Sequence, residues 1–375
     1  KHRELINNQI IKLKNLKTMP EKLAECILDN NTTCPHFYGI PKVHKNIPEG
    51  SKLPPHRGII SSTNGPTTRA SLWLDSILQP IVPQICGDQW VKDSMHVLSQ
   101  INELNKSHSF PSSASLISVD VIDMYNTIPH ADGIAACHKA LTKCSTYTKK
   151  QITEICVLLE MILTLNNFSF LNNHYIQITG TAMGTPTAPS YANIFMADLW
   201  QNHISGLPNQ PTWSMRYMDD IIILHEGTKE EIALFCDSLN TIHPTIKFTF
   251  SEPSSNTPFL DISLTLHNSK IETDLYVKPT DSKQFLPPSS DHPKHIFRSI
   301  VYSGALRIRR LCSQPETYNQ RVSEFVSDLT ASGYRSNFIH NIINQVSNLE
   351  RSTLLQYKPK IKQDRTIFVT THNKN

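Results

Sequence analysis

Apolar positions Ile6, Ile10, Leu13 and Leu16 recur at helical spacing, so the first 36 residues are expected to be partly helical, with a solvated lysine face. From 37 to 70 the periodicity vanishes. Pro, Gly, Ser and Thr dominate, with Lys42, Lys45, Lys52, Arg57 and Arg69 among them, which predicts extended segments and turns. Helical spacing returns over 71–105, through Leu72, Ile77, Leu78 and Ile81, with breaks expected at Pro80 and Pro83. Leu116–Val119 is a short apolar run ending at Asp120 and reads as a buried strand. Residues 131–165 predict helices, with Ile152, Ile155, Leu158, Leu159 and Ile162 on one stripe. Residues 168–178 predict a hairpin turning near Asn172 and Asn173, and 189–206 another helix. Trp213 to Leu224 predicts two strands around a tight turn. A helix over 229–240 follows, then strands over 245–250 and 259–277 with a turn at Asn268, and a helical part from 292 onward. The mixture predicts an α+β architecture, with helices on one face of an antiparallel sheet.

Composition narrows the class. The 375 residues are 39% hydrophobic and 18% charged, enough for a sizeable core and for two or three subdomains. A net charge of +4 permits a nucleic-acid partner without demanding one. The eight cysteines include no CxxC pair, which argues against structural zinc and for reduced thiols. No run approaches the ~18 apolar residues of a membrane span, and no secretory leader is evident at Lys1–Lys17. An intracellular, nuclear protein is expected. A start at Lys rather than Met reads as a piece of a longer polypeptide.

Four blocks carry chemistry. In Tyr217-Met-Asp219-Asp220, two adjacent acids sit where an apolar hairpin must turn. Asp is an ordinary turn residue, but burying two like charges together is costly unless a cation compensates. In Ser118-Val-Asp120-Val-Ile-Asp123-Met-Tyr125, an acid ends a buried strand. A helix N-cap would account for Asp120 or Asp123 but not for both. A third carboxylate facing the hairpin would complete an oxygen cage suited to Mg²⁺. Gly180-Thr-Ala-Met-Gly184-Thr-Pro186, ahead of a helix, implies a fixed loop where another backbone comes close. It is not a phosphate-binding loop of the GxxxxGK[ST] kind. Lys42, Lys45 and Arg57, on a short extended segment, suit a triphosphate or a phosphate backbone, though a solvated basic loop would look the same.

In order and spacing, the phrases FYGIPKVHK, RGIISS, SVDVIDMYNTIP, GTAMGTPTAPSYANIFM, RYMDDIIIL, FLDISLTL and LYVKPTD, then His292-Pro293, resemble the reverse transcriptases of Penelope-like retroelements from about 37 to 345. The resemblance implies a right-hand polymerase fold. After an N-terminal helical extension (1–36) would come fingers (37–115), a palm (116–290) with a finger-like insertion at about 131–178, a helical thumb (291–350) and a tail or linker (351–375). It implies two Mg²⁺ ions, with Mn²⁺ able to substitute, on Asp120, Asp219 and Asp220. Tyr125 would exclude a 2′-hydroxyl. Lys42, Lys45, Arg57, Asp123 and Gly184 would serve the incoming nucleotide. Phe259-Leu260-Asp261 would grip the primer, and thumb arginines, Arg307 and Arg310 together on one helix face, would follow the template–primer backbone. Partners would be an RNA template, a DNA primer and deoxynucleoside triphosphates, with no membrane.

The sequence departs from the wider family at Gly180, where many reverse transcriptases carry a nucleotide-positioning Gln. Neither a GIY-YIG endonuclease pattern nor a ribonuclease H region is visible. Two rival readings are an RNA-dependent RNA polymerase, disfavoured by a bulky Tyr125, and a non-catalytic nucleic-acid-binding remnant, disfavoured by the complete set of acids.

Overall fold

The computed structural model describes residues 2–28, 32–43, 46–47 and 50–356; Lys45 and residues 357–375 of the expected tail lie outside them. The chain opens with α1 (His2–Asn15) and α2 (Glu21–Leu28), then strands β1 (His36–Pro41) and β2 (His56–Ser61). Helices α3 (Thr68–Leu78), α4 (Val82–Cys86) and α5 (Ser94–Ser107) lead to β3 (Ser115–Val121). After a single turn, α6 (Met124–Thr127), come the long helices α7 (His130–Cys144) and α8 (Lys149–Thr164) and the hairpin β4 (Asn167–Phe170) and β5 (Asn173–Ile176). Helix α9 (Ala188–Leu199) precedes the hairpin β6 (Trp213–Tyr217) and β7 (Asp220–His225), followed by α10 (Lys229–Leu239). Strands β8 (Phe248–Phe250), β9 (Asn256–Phe259), β10 (Ile262–His267) and β11 (Lys270–Leu275) then give way to α11 (Lys294–Leu311), α12 (Pro315–Ala331), α13 (Ser336–Ser347) and α14 (Arg351–Leu354).

The central sheet is antiparallel, in the order β6-β7-β3-β8. Its strands explain why Ile221–Leu224 is apolar at every position rather than at alternate ones. Ile221 and Ile223 join one core with α7, α8 and α9. Ile222 and Leu224 join a second core with α5 and β9–β11. Both faces are covered, where helices on one face were expected. A strand buried on both sides loses its polar alternation.

Strand β3 also differs from expectation. It runs on to Val121, so Asp120 lies within the ladder, opposite Asp220 on β7 and Thr249 on β8. Pro83 falls in the first turn of α4, where a missing N–H costs nothing, and so starts a helix rather than breaking one. The hairpin β4–β5 turns at Leu171 and Asn172, both at positive φ. It completes a sheet in the order β2-β1-β4-β5, so strands from 36–61 and 167–176 share one layer.

Helix α1 is built in rather than appended. Ile6, Ile10 and Leu13 are buried against α8, and the stripe includes a polar member, Gln9. Its amide donates to the Glu154 backbone carbonyl at 2.8 Å and to its carboxylate at 2.9 Å, and Lys12 pairs with the same carboxylate at 2.8 Å. These bonds hold the Glu154 pKa below the ordinary glutamate value.

The C-terminal helices enclose a core of their own, centred on Val301, Ala305, Ile308, Leu329, Ile339 and Ile343. Between α12 and α13 the chain turns within Ser332–Arg335, and Gly333 takes φ +93° there.

Candidate active site

The β6–β7 hairpin closes on the pair Tyr217 and Asp220, which leaves Met218 and Asp219 as a two-residue turn. Met218 adopts φ 57°, a conformation that costs a side-chain-bearing residue energy and needs support. The support comes from behind. Arg216 is only 4% exposed, and its guanidinium donates to the Met218 carbonyl at 3.1 Å, to Asn193 Oδ1 at 2.8 Å and to the Asn193 carbonyl at 3.3 Å. It also lies 3.6 Å from Cys86 Sγ. Burial pulls the guanidinium pKa down and pushes the Cys86 thiol up. The Asn193 side-chain amide in turn reaches Met218 Sδ at 3.0 Å. Sequence reading passed over Arg216 and Asn193. The available signal was a lone cation beside Met215 in a strand that leads into an apolar hairpin.

Asp120 and Asp220 face each other across β3 and β7, and the Val121 amide donates to the Asp219 carbonyl at 3.1 Å. Directly paired residues in an antiparallel ladder share one face about 5 Å apart, so the register sets like charges side by side. The Asp220 pKa is pushed up to about 6, first by loss of water, then by Asp219 and Asp120, with Lys278 pulling the other way. Lys278, just beyond β11, is a further cation of the site to which no role was assigned from sequence.

Tyr125, in the turn after β3, stands close enough to Asp219, Tyr217 and Arg57 to feel their charges. Its hydroxyl is pushed up to about 12, mainly by burial and then by Asp219, and Arg57 works against this shift. Arg57, exposed on β2, thus lies within electrostatic reach of Tyr125. Lys42 follows β1, its amide donating to the Pro55 carbonyl at 2.7 Å. Asp123 does occupy the N-cap position of α6, at φ 45°, ψ 39°, but its side chain makes no cap bond and is exposed.

The glycine block is a strap between these parts. The Thr181 amide donates to the Tyr125 carbonyl at 2.6 Å, and the Ile60 amide to the Met183 carbonyl at 3.1 Å. A Cβ on Gly180 (φ +71°) would stand 2.4 Å from the Tyr125 carbonyl oxygen, and one on Gly184 (φ +118°) 2.3 Å from that of Ile60. Only glycine allows both the backbone angles and the approach.

Phe259 is buried at the end of β9, and Leu260 (φ 57°) and Asp261 form the turn into β10. Asp261 accepts from Ser94 Oγ and from Arg307 Nε, the latter at 2.8 Å. Arg307 and Arg310, one turn apart on α11, line different cavities. Arg307 faces Asp261, whereas Arg310 lines a cavity with Met95, Leu349 and Glu350, its Nε buried without a partner among the described residues. Arg321 is bound to Asp274 and Glu324, and Arg309 to the Leu349 carbonyl and the Tyr318 ring.

The donor set is hard oxygen, which suits a divalent cation of the Mg²⁺ kind. Among the described residues no three acidic, histidine or cysteine side chains converge as a preformed cage. Mg²⁺ needs none, since it commonly takes one or two carboxylates and fills its shell with water and substrate phosphates.

Helix-flanked sheet, acid-bearing hairpin and helical C-terminal part make up a right-hand polymerase fold. Solved structures share it. Telomerase from Candida albicans, in complex with a TWJ fragment of telomeric RNA, matches with a TM-score of 0.57 at 11% identity, over 88% of this chain and 59% of that one. Apo telomerase from Candida tropicalis matches at 0.51 and 12%, over 87% and 60%. The Sicinivirus 3Dpol RNA-dependent RNA polymerase matches at 0.52 and 15%, over 88% and 71%. The chain thus spans about three fifths of the telomerase chains it matches. No curated protein matches it in sequence. Family models match twice: reverse transcriptase (RNA-dependent DNA polymerase) over residues 65–252, about half of the chain, and animal helix-turn-helix domain over 284–344. The chain belongs to the reverse transcriptase family.

Proposed function

We propose that this chain is the polymerase core of a Penelope-like retroelement, an RNA-directed DNA polymerase that adds deoxynucleotides to a primer 3′-hydroxyl. The observation that carries the reading is the cross-strand pairing of Asp120 with Asp220 beside Asp219 at the end of one buried hairpin. Hard oxygen donors set side by side by the ladder register, at the exposed end of otherwise buried strands, favour a divalent-metal site over a structural turn.

Asp120, Asp219 and Asp220 would hold Mg²⁺, or Mn²⁺ in its place. Bound there, a pair of such ions supplies Lewis-acid activation of the 3′-hydroxyl and neutralises the charge of the triphosphate. The chain's own part is mainly positioning. Arg216 and Asn193 hold the turn from behind. Arg57 supplies positive charge beside Tyr125 for the phosphates, and Lys278 does so beside Asp220. Lys42 and Asp123 are assigned to the same nucleotide pocket on the family resemblance. The Tyr125 ring lies beneath the sugar and leaves no room for a 2′-hydroxyl. The strap at Gly180–Gly184 fixes that ring by its backbone, and with glycine at 180 no side chain can perform the task a glutamine performs elsewhere in the family. The turn at Phe259–Asp261 holds the primer end, and the helices from 294 lie along the duplex.

The test is extension of a DNA primer on an RNA template by the purified chain. Wild-type protein should extend in the presence of Mg²⁺ or Mn²⁺. Asp219→Ala or Asp120→Ala should lower the rate by about a thousandfold or more, with unchanged circular dichroism. Wild-type rates in Asp219→Ala would sink the mechanism. A well-folded wild-type chain that never extends would favour the non-catalytic remnant.

A further inference from the structure

A cavity of about 490 Å³ opens where the start of α11 meets the turn into α13, away from the acids of the β6–β7 hairpin. Phe297, Tyr334 and Phe338 form its apolar wall, with Pro288 and Gly333 at the edges. The rings are ordered against each other: Tyr334 and Phe338 are stacked at 6.4 Å with 26° between planes, and Phe297 meets Tyr334 edge-on at 6.4 Å. The Tyr334 hydroxyl is already used, donating to the Leu286 carbonyl at 2.8 Å, so its position is set from within the fold. Phe338 is 37% exposed, a large apolar ring left to solvent on a helix that buries its other apolar residues, Ile339, Ile342, Ile343 and Val346.

Charge around the cavity has one sign. Lys294 and Arg335 line it, both exposed, and no carboxylate does so among the described residues. The sequence keeps this up on both flanks: 292–315 and 329–349 contain neither Asp nor Glu. A ligand that satisfies the site must offer a flat apolar face and negative charge a few ångströms away. An unpaired nucleobase with its own phosphate does both. Stacking on exposed aromatics with cations along the backbone is the general way in which proteins hold single strands.

We propose that this cavity binds one unpaired nucleotide of a single strand, with the base against Phe338 and its phosphate between Lys294 and Arg335. The site shares no residue with the acid-bearing hairpin and lies at the start of α11 and of α13, on the helices proposed above to follow the duplex. It would seat a strand leaving or approaching the duplex, either an RNA template overhang or a displaced DNA strand.

The experiment uses the full chain, without nucleotide substrates or divalent metal. Short single-stranded RNA and DNA oligonucleotides carrying 2-aminopurine are titrated, and quenching and affinity are read. Wild type should quench the probe. Phe338→Ala should weaken binding by about tenfold or more, and Phe338→Tyr, which keeps the ring, should retain it. Lys294→Gln combined with Arg335→Gln should weaken binding and flatten its salt dependence. Quenching by RNA alone would assign the template overhang; quenching by both would admit the displaced strand. Absence of quenching, or equal affinity in a Phe338→Ala protein with wild-type circular dichroism, overturns the proposal. Primer extension is scored separately. A chain that quenches but never extends refutes the polymerase reading alone, and one that extends without quenching refutes this site alone.

Discussion

The β6–β7 hairpin and the α11–α13 helices both concentrate charge, and they treat it in opposite ways. In the hairpin, like charges are set side by side: Asp120 opposite Asp220, Asp219 next in the chain, and the Asp220 carboxyl raised to about 6, first by loss of water and then by its two acidic neighbours. In the helices, cations are drawn to carboxylates and carbonyls of the protein itself: Arg321 to Asp274 and Glu324, Arg307 to Asp261, Arg309 to the Leu349 carbonyl. A cation already held by the protein's own carboxylates and carbonyls has less left to offer a ligand. A count of arginines therefore says less about nucleic-acid contact than the partners of each arginine. On that criterion Lys294 and Arg335, exposed beside unburied aromatic surface, are stronger candidates than Arg321.

The largest effect that would sharpen this comparison is expected at Arg216, the buried cation that serves the hairpin. Arg216→Met removes the donor to the Met218 carbonyl and frees a strained turn. Extension should fall by about a hundredfold, since small misplacements of reacting groups cost that much, while the Kd for template–primer stays put. A loss that appears in Kd instead would show that Arg216 acts on substrate binding and not on the turn.

A smaller effect is expected at Tyr125. Tyr125→Val should raise ribonucleotide use relative to deoxynucleotide by about tenfold or more, the scale on which a pocket rejects one extra group. Competition between the two substrates in single-nucleotide extension measures it. An unchanged ratio would remove the ring from sugar choice and bring the RNA-polymerase reading forward.

The smallest effects separate two arginines one helical turn apart. Arg307, half exposed, forms a surface ion pair worth about 0–1 kcal/mol. If it also meets a phosphate, Arg307→Ala should flatten the salt dependence of template–primer binding by about one unit of log–log slope. Arg310, partly buried with its Nε out of reach of solvent, should leave the slope alone and instead cost about 1–3 kcal/mol of stability by urea titration when changed to Ala. Equal slope changes in both variants would restore the view that the two arginines present one phosphate-binding face.

Much of the molecule was legible before any coordinates. The turns at Asn172 and Asn268, the hairpin tip at Met218-Asp219 and the strap at Gly180–Gly184 depend on local chemistry: positive φ, missing Cβ atoms, short polar side chains. Helices α7, α8 and α9 follow from spacing within one segment. The acids were conspicuous because carboxylates interrupt runs that burial would otherwise keep apolar. What stayed hidden depends on contacts across long stretches of chain. Continuation of β3 through Asp120 is imposed by β7 and β8, which pair with it from about a hundred residues away. Burial of Gln9 is decided by Glu154, and the company of Arg307 by Asp261. Local sterics and the period of burial are written into neighbouring residues, so the sequence by itself determined the elements, their turns and the candidate acids. The partner of a charge and the second face of a strand arise only when distant segments pack, so the tertiary structure alone decided which cations serve the fold, which face the acids, and where an aromatic cavity is left open.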